Sequence, residues 1–198
     1  MKTIEVLCNE LTTGATNALF EKNESNVEGT LHLLTGSSVN LNGEIIEQHL
    51  SQVTIKDGKD IQRFLLQEGD VVLLAKGNSI RAGYVTENIA KLNVIASANF
   101  ILLRPHNNQL LGEVLVAYFN SPTGQSMLDA TSTGAAIKNI NLSNIKKMEI
   151  ELPDLSKQHE IAELFNASNQ AYQATIKLAE QQKKVATACI SQLMNGAA

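Results

Sequence analysis

The C-terminal part of the chain reads LSKQHEIAELFNASNQAYQATIKLAEQQKKVATACISQLMN over residues 155–195, without a single proline or glycine. Apolar and small side chains recur in it at helical spacing, which predicts one long α-helix. Pro153 ends the preceding strand, Ser156 is the expected N-cap, and Asn195-Gly196 is the expected C-terminal stop. At ~1.5 Å per residue the helix is about 60 Å long, which exceeds the diameter of a domain built from the rest of the chain.

An apolar stripe along this helix predicts a helical partner. Its period suits coiled-coil packing, and its alanines allow a second helix to approach closely. The alternative is that the helix folds back onto its own domain. The residues expected at the helix contact are Ile161, Leu164, Phe165, Ser168, Tyr172, Thr175, Leu178, Ala179, Val185, Ala186, Cys189 and Leu193.

The residues before about 150 have a different sequence pattern, in which short apolar runs alternate with turn residues. Such runs predict strands at Leu31–Leu34, Val53–Ile55, Val71–Ala75 and Ile101–Leu103. A helical face formed by Leu110, Leu111, Val114, Leu115 and Tyr118 interrupts them. Asn120-Ser121-Pro122 closes this helix, and a shorter helix follows over residues 123–130. The prediction is an α+β fold, with a mixed α/β domain with a strand-rich core over residues 1–153 and one long coiled-coil-like helix over 154–198.

Composition excludes several classes of protein. The chain has 198 residues, of which 43% are hydrophobic and 18% charged, as in globular domains and unlike disordered chains. No apolar run reaches the ~18 residues that cross a bilayer, and the start lacks the pattern of a signal peptide. We therefore expect a cytoplasmic protein with no membrane partner. The two cysteines, Cys8 and Cys189, form no CxxC motif, and no zinc site is expected.

The sequence carries no recognisable catalytic constellation. It lacks the phosphate-binding, metalloprotease and nucleophile-elbow motifs, and its four histidines are scattered among unlike contexts. We therefore expect no catalytic residue, no metal and no cofactor on this chain. A stand-alone enzyme remains an alternative, and a pocket that gathers two or more titratable side chains would favour it.

Charge and turn chemistry point to two candidate binding segments. Residues 69–149 carry seven basic and five acidic side chains, and only this third of the chain has a positive balance. Within it, residues 69–83 predict a strand, a polar turn and a return strand, and residues 132–139 predict a polar loop after a glycine turn. Cations and amides in such turns suit phosphates and base edges. The candidate DNA-binding residues are Lys76, Asn78, Ser79, Arg81, Ser132, Thr133, Lys138 and Asn139. Both segments could equally be solvated hairpin tips.

The order of several motifs resembles a known family. The segments are Gly69-Asp70-Val71-Val72, 98–105 (ANFILLRP), 115–121 (LVAYFNS), 134–140 (GAAIKNI), and 150–153 (IELP) followed by Gln158 and Ile161. Together they resemble one target-recognition domain and its following helix from the specificity subunit of type I restriction-modification systems. The opening residues 4–14 lack the family's usual tryptophan. Asp154 stands where the family has a second proline.

The resemblance implies a non-catalytic DNA reader. In this family the recognition domain enters double-stranded DNA, and the long helices set the separation between two recognition domains and dock the DNA methyltransferase (modification) subunits. The S-adenosylmethionine is expected on those subunits, and a restriction subunit joins through the complex. Family members usually have two recognition domains and two helices, whereas this chain has one of each. Two copies are therefore expected to pair their helices antiparallel and to read a bipartite palindromic site.

An alternative within the same family is a partner-binding protein that has lost DNA binding. The formal net charge of -4 fits that alternative. A DNA titration at low salt separates the two.

Overall fold

The computed structural model describes residues 1–21, 31–133 and 138–196. The chain divides into two compact units, Met1–Ala162 and Glu163–Ala198, which are considered separately below. The predicted division at 153/154 remains a prediction.

The described residues form strands and helices in a mixed order. The strands are β1 (Lys2–Thr3), β2 (Cys8–Thr13), β3 (Leu31–Leu34), β4 (Ser51–Val53), β5 (Val71–Leu74), β6 (Lys76–Gly77), β7 (Arg81–Tyr84), β8 (Val94–Ala96), β9 (Phe100–Pro105), β10 (Lys138–Asn139) and β11 (Glu149–Ile150). The helices are α1 (Ile4–Leu7), α2 (Glu87–Ala90), α3 (Gly112–Asn120), α4 (Pro122–Thr131), α5 (Leu142–Lys147) and α6 (Leu155–Asn195). The α+β class and the long C-terminal helix are confirmed.

A four-stranded antiparallel sheet forms the centre of the first unit. Its strand order is β2-β9-β5-β7. The apolar run Val71–Leu74 is buried along its whole length, as expected of a central strand that is covered on both faces. The predicted return strand also forms, but Arg81 is its first residue and pairs with Leu74, so Arg81 does not belong to the turn.

A second sheet packs against this one. Strand β3 lies between β4, which is antiparallel to it, and β8, which is parallel to it. Leu34 and Val94 from this sheet cluster with Val72, Phe100 and Leu102 from the central sheet. Burial of these apolar side chains is the main favourable term in the stability of this unit.

The predicted helices α3 and α4 are confirmed. Val114 and Leu115 are buried, and α3 packs against β7 and β5. The hydroxyl of Ser121 accepts a hydrogen bond from Gly124 N at 3.1 Å, and Pro122 occupies the first turn of α4. Ser121 is therefore the C-cap of one helix and the N-cap of the next, which explains the sharp break between them.

The start of α6 differs from the prediction. Asp154, and not Ser156, is the N-cap: its Oδ1 accepts from Lys157 N at 2.9 Å, and its carbonyl accepts from Gln158 N at 3.0 Å. The preceding strand already ends at Ile150, so Pro153 does not end it as predicted. Pro153 has no side-chain acceptor, and Asp154 is the first residue after it that can cap the helix.

Gln158 attaches the first turns of α6 within the first unit. Its side chain is buried, its Oε1 accepts from Leu111 N at 3.0 Å, and its Nε2 donates to the carbonyls of Gln109 and Pro153, each at 3.0 Å. All hydrogen-bonding positions on the Nε2 amide nitrogen are therefore used. Only the family resemblance pointed to Gln158.

The second unit is the remainder of the helix. Most of the predicted stripe lies here and is exposed, with Leu164 at 71%, Tyr172 at 48% and Leu193 at 75%. Ile161 belongs to the first unit and is half-buried, and Phe165 is also half-buried. No helix in the described part of the chain is both long enough and apolar enough to span a membrane.

Candidate nucleic-acid interface

The two candidate segments come together in the folded chain. Strand β10 pairs with β6 in antiparallel register, so that Lys138 lies opposite Gly77 and Asn139 lies opposite Lys76. The two segments were predicted separately and are about 60 residues apart in sequence. We call this surface the polar ribbon; its members are Lys76–Arg81, Ser132, Thr133, Lys138 and Asn139.

Backbone hydrogen bonds hold the polar ribbon to the central sheet. The amides of Ala75 and Lys76 both donate to the carbonyl of Asn99, at 2.9 and 3.2 Å. The amide of Ile140 donates to the carbonyl of Ala75 at 2.9 Å. Thr133 and Asn139 exchange two further backbone hydrogen bonds, at 2.9 and 3.0 Å. The ribbon is therefore positioned by the sheet, as a binding surface requires.

Lys76 and Asn78 are the most available polar side chains of the ribbon. Both are exposed, and Lys76 makes no ion pair with any residue in the described ranges. An exposed ammonium on a fixed backbone suits a phosphate, and an exposed amide suits either a phosphate or a base edge.

Arg81 is committed to contacts within the protein. Its Nε donates to the carbonyl of Val39 at 2.7 Å, its Nη1 donates to the hydroxyl of Ser79 at 2.5 Å, and its Nη2 donates to the carbonyl of Gly36. The sequence could not show these carbonyl partners because they lie more than 40 residues away. The guanidinium that was predicted as a direct DNA contact therefore donates to three acceptors within the protein.

The second segment is also partly committed. Lys138 Nζ pairs with Asp129 Oδ1 at 2.5 Å, and both side chains are partly exposed. The hydroxyls of Ser132 and Thr133 donate to the carbonyls of Asp129 and Asn139, at 2.9 and 3.2 Å. Asp129 was not predicted from the sequence, because its proximity to Lys138 follows from where α4 ends. The glycine turn of this segment, 134–137, lies outside the described residues.

A cleft of about 340 Å³ elsewhere in the first unit bears on the enzyme alternative. Three titratable side chains line it, namely Glu68, Arg104 and His106. The cleft therefore gathers more than the two titratable side chains that would favour an enzyme. Arg104, however, is held by Asp70 at 2.8 Å and by Glu10 at 2.7 Å, an arrangement that fixes a side chain in place.

Relatives of known type share both sequence and fold with this chain. The type I restriction enzyme EcoBI specificity subunit of Escherichia coli is 27% identical over 119 residues, which are 60% of this chain and 24% of that protein. The type I restriction-modification S subunit from M. genitalium is 19% identical, with a TM-score of 0.60 over 92% of this chain and 42% of that one. The HsdS subunit from Thermoanaerobacter tengcongensis is 16% identical, with a TM-score of 0.57 over 92% and 45%.

This chain spans less than half the length of these relatives. The two solved structures establish the likeness in fold. A sequence profile of the family described as "Type I restriction modification DNA specificity domain" matches residues 5–187, which is most of the chain. The chain therefore belongs to the type I restriction-modification DNA specificity family.

Proposed function

We propose that this chain is a non-catalytic DNA target-recognition subunit that binds double-stranded DNA through the polar ribbon. The observation that carries the proposal is the pairing of β6 with β10, which joins two polar segments into one surface. The proposal also draws on the family assignment and on Lys76, which is exposed and has no ion-pair partner among the described residues. We propose that the chain acts in the cytoplasm, where its DNA target would lie.

The partners follow from the family. DNA methyltransferase (modification) subunits would dock on the chain, carry S-adenosylmethionine and perform the base chemistry. A restriction subunit would join through that complex. The match covers 42% and 45% of the two solved relatives, and we propose that one copy of this chain supplies the equivalent of one half of such a subunit.

We further propose that two copies act together through α6. The exposed apolar stripe of the second unit supports this, because exposed large side chains at helical spacing are typical of an unpaired coiled-coil seam. Antiparallel pairing about a two-fold axis would present two identical recognition domains. The DNA site would then be bipartite and palindromic, with an unread gap set by the helices.

A fluorescence titration with a mixed-sequence duplex tests DNA binding by the ribbon. Lys76→Ala should weaken binding on the order of tenfold at about 100 mM salt and flatten the slope of log K against log salt by about 0.9, because one phosphate contact is lost. Lys91→Ala is the control for loss of a lysine outside the ribbon: Lys91 is exposed, precedes β8 and pairs with Glu87 at 2.8 Å.

If the two variants have the same DNA affinity and salt dependence, the ribbon is not the DNA-binding surface. A wild-type chain that binds no duplex even at low salt would favour the alternative, a family member that binds protein partners only. This alternative is supported by the contacts of Arg81 and Lys138, because both cations already have partners within the protein.

A further inference from the structure

Arg81 joins the polar ribbon to a second loop of the first unit. This loop is the short turn Thr35–Val39, which lies between β3 and β4 and was not among the predicted DNA-binding residues. Two of its carbonyls, those of Gly36 and Val39, accept from the guanidinium, and Ser79 of the ribbon accepts from the same group. A planar guanidinium with three fixed acceptors holds two backbone segments in one geometry.

The turn and the ribbon also rest on the same side chain. A Cβ on Gly36 would lie 3.7 Å from Leu74 Cδ2, and a Cβ on Gly77 would lie 3.9 Å from the same atom. Gly36 and Gly77 are therefore neighbours over the end of β5. The turn extends the surface of the ribbon at the place where Lys76 and Asn78 are exposed.

The turn is internally fixed and presents one exposed hydroxyl. Ser38 is buried, and its hydroxyl donates to the carbonyl of His49 at 2.7 Å. His49 Nδ1 donates to the carbonyl of Ser37 at 3.0 Å, since a carbonyl oxygen only accepts. Ser37 itself is exposed, with its hydroxyl 3.0 Å from that of Thr35. Such a turn needs little ordering on binding, which favours its use in recognition.

We propose that the Thr35–Val39 turn is a third part of the DNA-binding surface, that Ser37 faces the DNA, and that Arg81 is the positioning residue that holds the turn there. The inference rests on the proposed function. Ser37 and His49 supply hydroxyl and imidazole groups of the kind that contact phosphates and base edges. Arg81 acts through the turn, and Lys76 acts directly.

Charge substitutions at Ser37 test the surface in the full chain. Ser37→Asp should weaken binding of the mixed-sequence duplex on the order of tenfold at about 100 mM salt, because a carboxylate would face phosphates. Ser37→Lys should tighten binding by a similar factor and steepen the salt dependence. Asn108→Asp and Asn108→Lys are matched controls, because Asn108 is exposed beyond the opposite end of β9. We expect each control to change binding by less than about twofold.

The role of Arg81 is tested by coupling. Arg81→Lys keeps the charge and cannot make the three bonds of the fork. In that background the penalty of Ser37→Asp should fall from about tenfold to about threefold, because the turn is no longer held against the ribbon. A merely structural role would leave the two effects multiplicative, and that result would remove the positioning role.

The outcomes separate this inference from the proposed function. If DNA affinity depends on Lys76 but the Ser37 variants behave like their Asn108 controls, the turn is not part of the DNA-binding surface, and the proposed function still stands. Loss of DNA binding in the wild-type chain would overturn both. Opposite effects of the two Ser37 substitutions, with a folded far-UV spectrum for each variant, would support the inference.

Discussion

Asp70 and Arg104 form an ion pair in the first unit. Asp70 is fully buried, and Arg104 donates to both of its oxygens, from Nε at 2.8 Å and from Nη2 at 2.9 Å. Burial raises the pKa of the Asp70 carboxyl, and the hydrogen bonds from Arg104 and from Gln67 N act against that rise. Both residues lie in motifs that resemble the family, but their contact could not be predicted from the sequence, because 34 positions separate them.

Removal of Arg104 should therefore be costly. Arg104→Met should lower the free energy of unfolding by about 3–5 kcal/mol, because it leaves a buried carboxylate without its partner. The folded-state pKa of Asp70 would then rise further above its unfolded value. A carboxyl with a raised folded pKa binds protons more readily in the folded state, so the variant should recover stability as the pH falls below the folded pKa toward the lower unfolded one.

Urea denaturation at about pH 7 and about pH 5 checks this expectation. Asp70→Asn combined with Arg104→Met is the companion variant, which should recover part of the loss at about pH 7 because no buried charge remains. An equal loss for Arg104→Met at both pH values would contradict the assignment of the loss to Asp70.

The N-terminus of α6 gives a prediction about one structural element. Asp154→Ala should lower the free energy of unfolding by about 1 kcal/mol, because its carboxylate accepts from Lys157 N and also lies at the positive end of the helix dipole. Ser156→Ala should change it by only a few tenths of a kcal/mol, since Ser156 lies inside the first turn. Thermal unfolding of both variants measures the difference. A larger effect at Ser156 would show that Ser156 is the N-cap, as the sequence predicted.

Elements were predictable to the extent that their signals are local. The periodicity of residues 110–118, the stop at Asn120-Ser121-Pro122 and the apolar run at 71–75 each lie within a dozen residues, and the structure confirms the elements that they predicted. The pairing of β6 with β10 was not predictable in this way. Two-residue strands carry no periodicity, and their partner is chosen by where β5 and α4 place them.

The assembly of two copies is tested on the long helix. Ala186→Glu should shift sedimentation from dimer to monomer, because it introduces a charge into the seam of the predicted coiled coil. Ala188→Glu is the matched control. It makes the same substitution at an equally exposed alanine about 200° around the helix, and it should leave the dimer intact. A monomeric wild-type chain would end the proposal of a dimer through α6.

The DNA site of such a dimer follows from its symmetry. Two identical recognition domains should specify a palindromic site, and a helix about 60 Å long covers about 18 base pairs at ~3.4 Å each. Mapping of methylated bases in cells that carry this chain with its cognate methyltransferase should therefore reveal two inverted half-sites at a fixed distance. An asymmetric methylated sequence would contradict the pairing of identical copies.

The amino-acid sequence alone determined the class of the fold, the long helix, three of the four predicted apolar strands and the family, since each depends on periodicity, turn residues or motif order along the chain. The fourth strand, predicted over Val53–Ile55, lies over Ser51–Val53 instead, where it pairs with β3. Only the tertiary structure decided that residues 76–81 and 138–139 share one surface, that Arg81 holds a turn more than 40 residues away, and that Asp129 lies beside Lys138. The physical reason is range. Helix and strand signals come from neighbours in sequence, whereas a binding surface is assembled by packing between elements that are far apart in the chain.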